Sequence, residues 1–237
     1  MKLYIVTTSW DDGHKLDLKL AKLLEKYNIK GTFYVSPFYL ENKLTREEIK
    51  ELSEYHEIGA HTLTHVDLTS IPIEKAEKEI KGSKIYLEKL LGAKISMFCY
   101  PKGKYDQRIK EIVKKNGFLG ARTCNGGNFE FPKDPYEWGV TLHASNGSPL
   151  MTLKIYIKTR ISVKGLMDWE PRAKLLFNHL LDRGGIYHLW GHSWEIEKND
   201  EWDKLESVLQ YMSNRKEIFY VTNVEALTIL QTHPLNI

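Results

Sequence analysis

Two histidines spaced four apart, His61 and His65, and two adjacent aspartates, Asp11 and Asp12, are the residues of this chain best suited to hold a divalent metal. On a helical turn, i, i+4 spacing puts both imidazoles on one side. Two imidazoles and one carboxylate make a reasonable shell for zinc, with a position left for water. Taken alone, a His-x3-His pair also fits two polar residues capping a helix, and Asp-Asp-Gly is ordinary turn chemistry. Adjacent carboxylates can divide labour, one as ligand and the other as base, because a divalent metal brings the pKa of its water to about 7. A leaving amine then needs a proton from the other side, and imidazole is suited to give it near pH 7. His192 is the natural source.

The elements that must position these residues lie just before them. Leu3–Thr8 reads as a buried strand running into Asp11-Asp12-Gly13-His14. Glu57–Ala60 is a short strand running into His61-Thr62-Leu63-Thr64-His65. Ile95–Cys99 leads to the turn Tyr100-Pro101-Lys102-Gly103, and Ile186–Trp190 carries His188 and leads to Gly191-His192. Between them fall helical stretches: Lys15–Asn28, a segment opened by the capping box Thr45-Arg46-Glu47-Glu48, and a long run from Pro72 to about Leu91. Further strands are expected at Thr32–Ser36, Phe118–Arg122 and Ile218–Thr222, and further helices at Gln107–Asn116, Pro171–Leu181 and Trp202–Met212. Asn223 reads as the N-cap of a last helix ending near Leu230. Residues 123 to 168 are less regular, with strands expected near Trp138–His143 and Thr152–Thr159. Strand-then-helix alternation predicts an α/β fold of parallel strands with crossover helices, in a barrel or barrel-like form. In such folds the loops at the C-terminal strand ends carry the active site, so acids, imidazoles and the tight turn converge on one rim.

The bulk properties agree with one catalytic domain over 1–237. A chain of 237 residues that is 42% hydrophobic can bury a sizeable core, and it shows no repeat or low-complexity tract. A net charge of +3, from 34 basic and 31 acidic residues spread along the chain, argues against a nucleic-acid partner. Nowhere do about 18 uncharged apolar residues run together, so no membrane span is expected. The apolar run Met1–Val6 is shorter than the roughly 7–15 residues of a signal-peptide core, which reads as a cytoplasmic protein. Two cysteines, Cys99 and Cys124, make no disulfide framework.

The same segments resemble, in order, the motifs of the polysaccharide deacetylase family (carbohydrate esterase family 4, with the NodB homology domain). Ser9-Trp10-Asp11-Asp12-Gly13 resembles its Thr-Phe-Asp-Asp-Gly, and His61–His65 matches its His-Ser/Thr-x-x-His in full. Pro101-Lys102-Gly103 resembles the end of its third motif, and Leu189–His192 loosely resembles its Leu-x-His. The resemblance implies a distorted, TIM-like (β/α) barrel of about seven parallel strands. It implies Asp11 as general base, Asp12, His61 and His65 as metal ligands, His192 as general acid, and the Lys102 N–H as oxyanion donor. The implied reaction is hydrolysis of an N-acetyl group on an acetamido sugar, with zinc as the favoured metal and cobalt, nickel or iron as alternatives.

The departures from the family pattern are specific. Where the family carries an arginine that holds the catalytic aspartate, this chain has Cys99. The extra residue in Leu189-Trp190-Gly191-His192 makes His188 a rival for His192. The acid that should tune the catalytic histidine is either Asp168, in an Asp-Trp pair, or Glu195. Trp10, Tyr100, Trp190 and Trp194 flank these motifs and could meet a sugar, although large aromatics more often fill cores and rims. Two other readings stay open: a non-catalytic sugar binder on a decayed deacetylase fold, and a hydrolase of the same fold acting on a non-sugar amide or ester.

Overall fold

The first strand, β1 (Tyr4–Asp12), is the hub of the sheet, and the computed structural model describes residues 2–147, 149–159 and 167–232 around it. Its upper half, Thr8 to Asp12, pairs with β2 (Gly31–Val35), and its length from Tyr4 to Trp10 pairs with β7 (Gly185–Gly191). From β2 the sheet continues through β3 (Glu57–Ala60), β4 (Met97–Cys99) and β5 (Gly120–Arg122). Beyond β7 lies β6 (Leu142–His143), and β8 (Phe219–Tyr220) pairs the lower part of β1. Every one of these pairings is parallel, and seven strands lie on the main path. The curled sheet is a distorted TIM-like barrel of incomplete closure. Between β5 and β7 the gap is spanned by one irregular segment, in which Trp138 pairs with Arg122 and Leu142–His143 pair with β7.

The crossovers are α1 (Asp17–Lys26), α2 (Arg46–Ser53), α3 (Ile73–Leu91), α4 (Gln107–Lys115), α5 (Pro149–Thr159), α6 (Trp169–Arg183), α7 (Ser193–Lys198), α8 (Trp202–Met212) and α9 (Asn223–Thr232). Strand alternation separates two apolar clusters. Val6, Trp10, Phe33, Val35, Phe98, Tyr187 and Leu189 face outward and pack with helix residues such as Leu20, Leu24, Leu176 and Leu205. Ile5, Tyr34, Met97, Cys99, Trp138 and Ile186 form the second cluster with Ala226 and Leu227 of α9. The last helix therefore closes the end of the barrel where β1 begins.

Local chemistry explains most boundaries. Thr45 and Glu48 form the expected capping box, each bonding the other's backbone N–H. Pro72 stands as N-cap of α3, which ends at Gly92 in the left-handed conformation that glycine adopts without penalty. Two expectations fail. Thr152–Thr159 is helical, because Thr152 and Ile155 are buried at a spacing of three while Leu153 and Ile157 are exposed. A strand there would bury alternate residues, which this segment does not do. The last helix is capped by Thr222 and Glu225, again reciprocally, and not by Asn223. The Asn223 side chain instead turns inward, accepting from Thr7 Oγ1 at 2.6 Å and donating to the Tyr34 hydroxyl at 2.9 Å. Among the described residues, no helix is long and apolar enough to cross a membrane.

Candidate metal and acid–base site

The C-terminal strand ends bring together residues separated by up to 184 positions in the chain, from Asp11 to Glu195. Asp11 and Asp12 end β1, and His61 follows β3 directly. Asp12 Oδ1 lies 3.4 Å from His65 Nε2 and 3.8 Å from His61 Nε2. That oxygen is buried without a hydrogen-bond partner. His61 Nδ1 sits 2.7 Å from the Cys99 carbonyl, which fixes the ring with Nε2 turned into the cluster. Burial lowers the pKa of both imidazoles; for His65, with His61 adding to the effect, it falls to about 4. Neutral imidazole is the ligating form. A buried, unpartnered carboxylate oxygen facing two neutral imidazole nitrogens is a donor set that fits a divalent cation.

The backbone is strained at the same place. Asp12, Thr62, His65 and Lys102 all have positive φ, at 84°, 64°, 57° and 58°. For a β-branched residue such as Thr62 this is a genuine outlier. Strain of this kind costs about 1–3 kcal/mol per residue and persists only where surrounding contacts impose it.

Asp11 is 3% exposed, and its Oδ1 forms an ion pair with Arg122 Nη2. Burial would raise its pKa, but the Arg122 guanidinium, then His61 and His192, outweigh that and hold Asp11 at about 2. Arg122 itself is fully buried at the end of β5, packed against the rings of Trp190 and Tyr34. It occupies the role for which the sequence offered no residue at position 99. Cys99 sits beside it with Sγ 3.7 Å from Asp11 Oδ2, its thiol pushed well up by burial. One signal could have found Arg122: a charged side chain ends an otherwise apolar strand at the level of the other site residues.

His192 is half-buried on the rim. Its Nε2 lies 4.0 Å from Asp12 Oδ2 and its Nδ1 3.0 Å from Glu195 Oε2. Burial opposes its positive charge, yet the Glu195 hydrogen bond and the Asp11 and Asp12 carboxylates raise its pKa above the ordinary value. His188 is different: it lies inside the barrel, 1% exposed, with Nε2 2.8 Å from Ser9 Oγ. Burial, helped by Arg122, drives its pKa down to about 3. Asp168 does not reach His192; it caps α6 and pairs with Lys204 at 3.0 Å. Glu195 stands where that acid was sought.

The aromatic residues divide. Trp194 Nε1 donates to Asp12 Oδ2 at 2.9 Å, and Trp190 packs on the rings of His143 and His192, so both line the site. Trp10 and Tyr100 are fully buried: Trp10 lies in the outer core, and Tyr100 donates to the Tyr136 carbonyl and stacks on Tyr105. Neither side chain can meet a sugar. Tyr39, which the sequence did not single out, stacks on the His65 ring at 4.3 Å and is 44% exposed. Lys102 is exposed on the turn after β4, and among the described residues no backbone carbonyl accepts from its N–H. A cavity of about 220 Å³ adjoins Trp190 and His143 and reaches Cys124, Thr141, Ser145 and Arg172.

A parallel barrel whose strand ends gather carboxylates and imidazoles carries its candidate site on one rim, and known proteins share this arrangement of sequence and fold. The Polysaccharide deacetylase family model matches residues 4–121, from β1 into β5, and the chain belongs to that family. The Bacillus cereus peptidoglycan-N-acetylglucosamine deacetylase is 25% identical over 138 residues, covering 56% of this chain and 60% of that protein. A solved polysaccharide deacetylase from Bacillus cereus is 28% identical, with a TM-score of 0.50 over 56% of this chain and 45% of that one. A family 4 acetyl xylan esterase from Clostridium thermocellum, solved with a cobalt ion, superposes with a TM-score of 0.61 over 96% of this chain and 92% of the other. At 17% identity, that likeness concerns the fold. The matched stretch spans 30% to 60% of the length of the curated relatives. Arg122, His192 and Glu195 all lie beyond the residues matched by the family model.

Proposed function

We propose that this chain is a metal-dependent hydrolase that removes N-acetyl groups from an acetamido sugar, acting as one catalytic unit over 1–237. The observation that carries this reading is the unpartnered Asp12 Oδ1 facing His61 and His65, with Asp11 and His192 adjoining. Asp12, His61 and His65 would hold the ion; zinc suits this donor set, as do cobalt, nickel and iron. A bound divalent ion supplies Lewis acidity, lowering the pKa of water and polarising a carbonyl.

The chain's own residues do the rest. Asp11 takes the proton of the attacking water; with Oδ1 committed to Arg122, Oδ2 is the oxygen left for it. The guanidinium fixes that geometry and keeps Asp11 ionised, at some loss of basicity. His192, oriented by Glu195 through Nδ1, presents Nε2–H to the departing nitrogen. Among the described residues no carbonyl accepts from the Lys102 N–H, which supports its role as donor to the oxyanion, a contact typically worth about 3–4 kcal/mol. Trp190, Trp194 and Tyr39 supply apolar ring faces against which a saccharide can lie. A decayed binder is disfavoured, because the aspartate has its guanidinium and the histidine its acid.

The test is metal content measured together with acetate release from N-acetylglucosamine oligomers, with and without a chelator. About one tightly held metal per chain and chelator-sensitive acetate release are expected. Metal without acetate release from any saccharide would move the reading to a non-sugar amide or ester, and a chain that binds no metal after reconstitution would refute it.

A further inference from the structure

We propose that His143, His192 and Glu195 form a second divalent-metal site, filled at higher metal concentration, that silences the first. His143 ends β6, His192 precedes α7, and Glu195 lies in the first turn of α7. Their ligand atoms all lie within 4.8 Å of one another. Glu195 Oε2 is 3.2 Å from His143 Nε2 and 3.0 Å from His192 Nδ1. Ligands held about 2.0–2.2 Å from zinc at tetrahedral angles stand roughly 3.3–3.5 Å apart. The corresponding separations around Asp12 are 3.4 and 3.8 Å. The second group is therefore as close to coordination spacing as the first.

Two features distinguish this cluster from an ordinary hydrogen-bonded triad. His143 Nε2 is buried 3.2 Å from Glu195 Oε2, close enough for an ion pair but poorly directed for a hydrogen bond. Its other nitrogen, Nδ1, contacts Ser145 Oγ at 2.6 Å. In the tautomer whose Nδ1–H donates to this hydroxyl, the Nε2 lone pair is left for the ion. Trp190 packs against both rings, at centroid distances of 4.3 and 5.6 Å, and holds them in place. The three side chains are 19% to 27% exposed, so an ion and a solvent ligand can reach them.

The consequence follows from the second role of His192, and it rests on the acid–base reading given above. An ion on His192 Nδ1 displaces the Glu195 hydrogen bond and occupies the nitrogen that the imidazolium must keep protonated. The ring can then no longer serve as an imidazolium acid. Metal at one site would thus be required for turnover and metal at the other would stop it.

Equilibrium dialysis of the metal-stripped full chain against rising free zinc decides the matter, with bound zinc counted directly. Wild type should bind two equivalents, one tight and one weaker. His143→Ala and Glu195→Gln should each lose the weaker and keep the tight one, which also shows that they fold. His61→Ala should lose the tight equivalent and retain the weaker. Wild-type acetate release should rise with the first equivalent and fall by about 100-fold as the second fills; in His143→Ala the fall should be absent. Saturation of wild type at one equivalent overturns the proposal, as does binding of two equivalents by both His143→Ala and Glu195→Gln. Two equivalents with no acetate release leave the second site standing and remove the enzyme reading instead.

Discussion

The two ends of the barrel both bury polar groups, and they differ in how many are left unpaired and in the strain of the backbone around them. At the closed end, Asn223 bonds Thr7 and Tyr34 through its side chain and Thr32 through its N–H. Glu57 Oε2 accepts from Thr32 Oγ1 and from the Val224 N–H at the start of α9. At the open rim, Asp12 Oδ1, Thr62 Oγ1 and Arg122 Nε are buried without partners, and four non-glycine residues carry positive φ. An orphaned buried group typically costs about 1–3 kcal/mol. Among the described residues the closed end leaves Glu57 Oε1 unpaired, whereas the rim combines three orphaned groups with four strained backbone positions.

Substitutions at the rim should therefore cost activity first. His61→Ala should abolish both metal retention and turnover, read by metal analysis and acetate release on the same sample. Asp11→Asn should keep the metal and lose about 10²–10⁴-fold in turnover; full activity in that variant would show that Asp11 is not the base. Arg122→Leu sharpens the comparison because it leaves a buried carboxylate unpaired. It should destabilise the fold by about 3–5 kcal/mol in chemical denaturation and reduce turnover as well.

The closed end should respond in stability alone. Burial raises the pKa of Glu57 to about 7, against the bonds from Val224 and Thr32, which lower it. The folded chain thus binds more protons than the unfolded one between about pH 4.5 and 7. The contribution of this group is present in full below that window and is lost as pH rises through it, by roughly 3 kcal/mol. Glu57→Gln should flatten this part of the thermal-stability profile and leave acetate release unchanged. An unaltered profile would mean that the carboxyl is better solvated than its surroundings suggest.

The sequence revealed the rim residues that come in local patterns and missed those that meet only in space. Asp11, Asp12, His61 and His65 could be read because each pair sits within five residues, directly after an apolar strand. Arg122 could not be linked to Asp11, since 111 positions separate them and only the sheet order brings β5 round to the mouth. Choosing between His188 and His192 needed strand alternation: one points into the barrel and the other leaves its end. The capping pattern Thr222-x-x-Glu225 was legible and was passed over for the adjacent Asn223, whose side chain the barrel interior takes. At Thr152–Thr159 half of the residues are β-branched, yet burial follows a period nearer three than two, which only the packed helix reveals.

The Arg122–Asp11 pair has a consequence for how sequences of this kind drift. Where the family keeps a guanidinium on the fourth strand, this chain keeps a thiol there and the guanidinium on the fifth, beside it. Positions 99 and 122 are then epistatic. Cys99 is fully buried beside Asp11, so arginine introduced there should crowd Arg122, and loss of Arg122 alone should strand the aspartate. Relatives with arginine at the first position should be free to vary at the second. The double variant Cys99→Arg with Arg122→Cys should recover much of what Arg122→Cys alone removes.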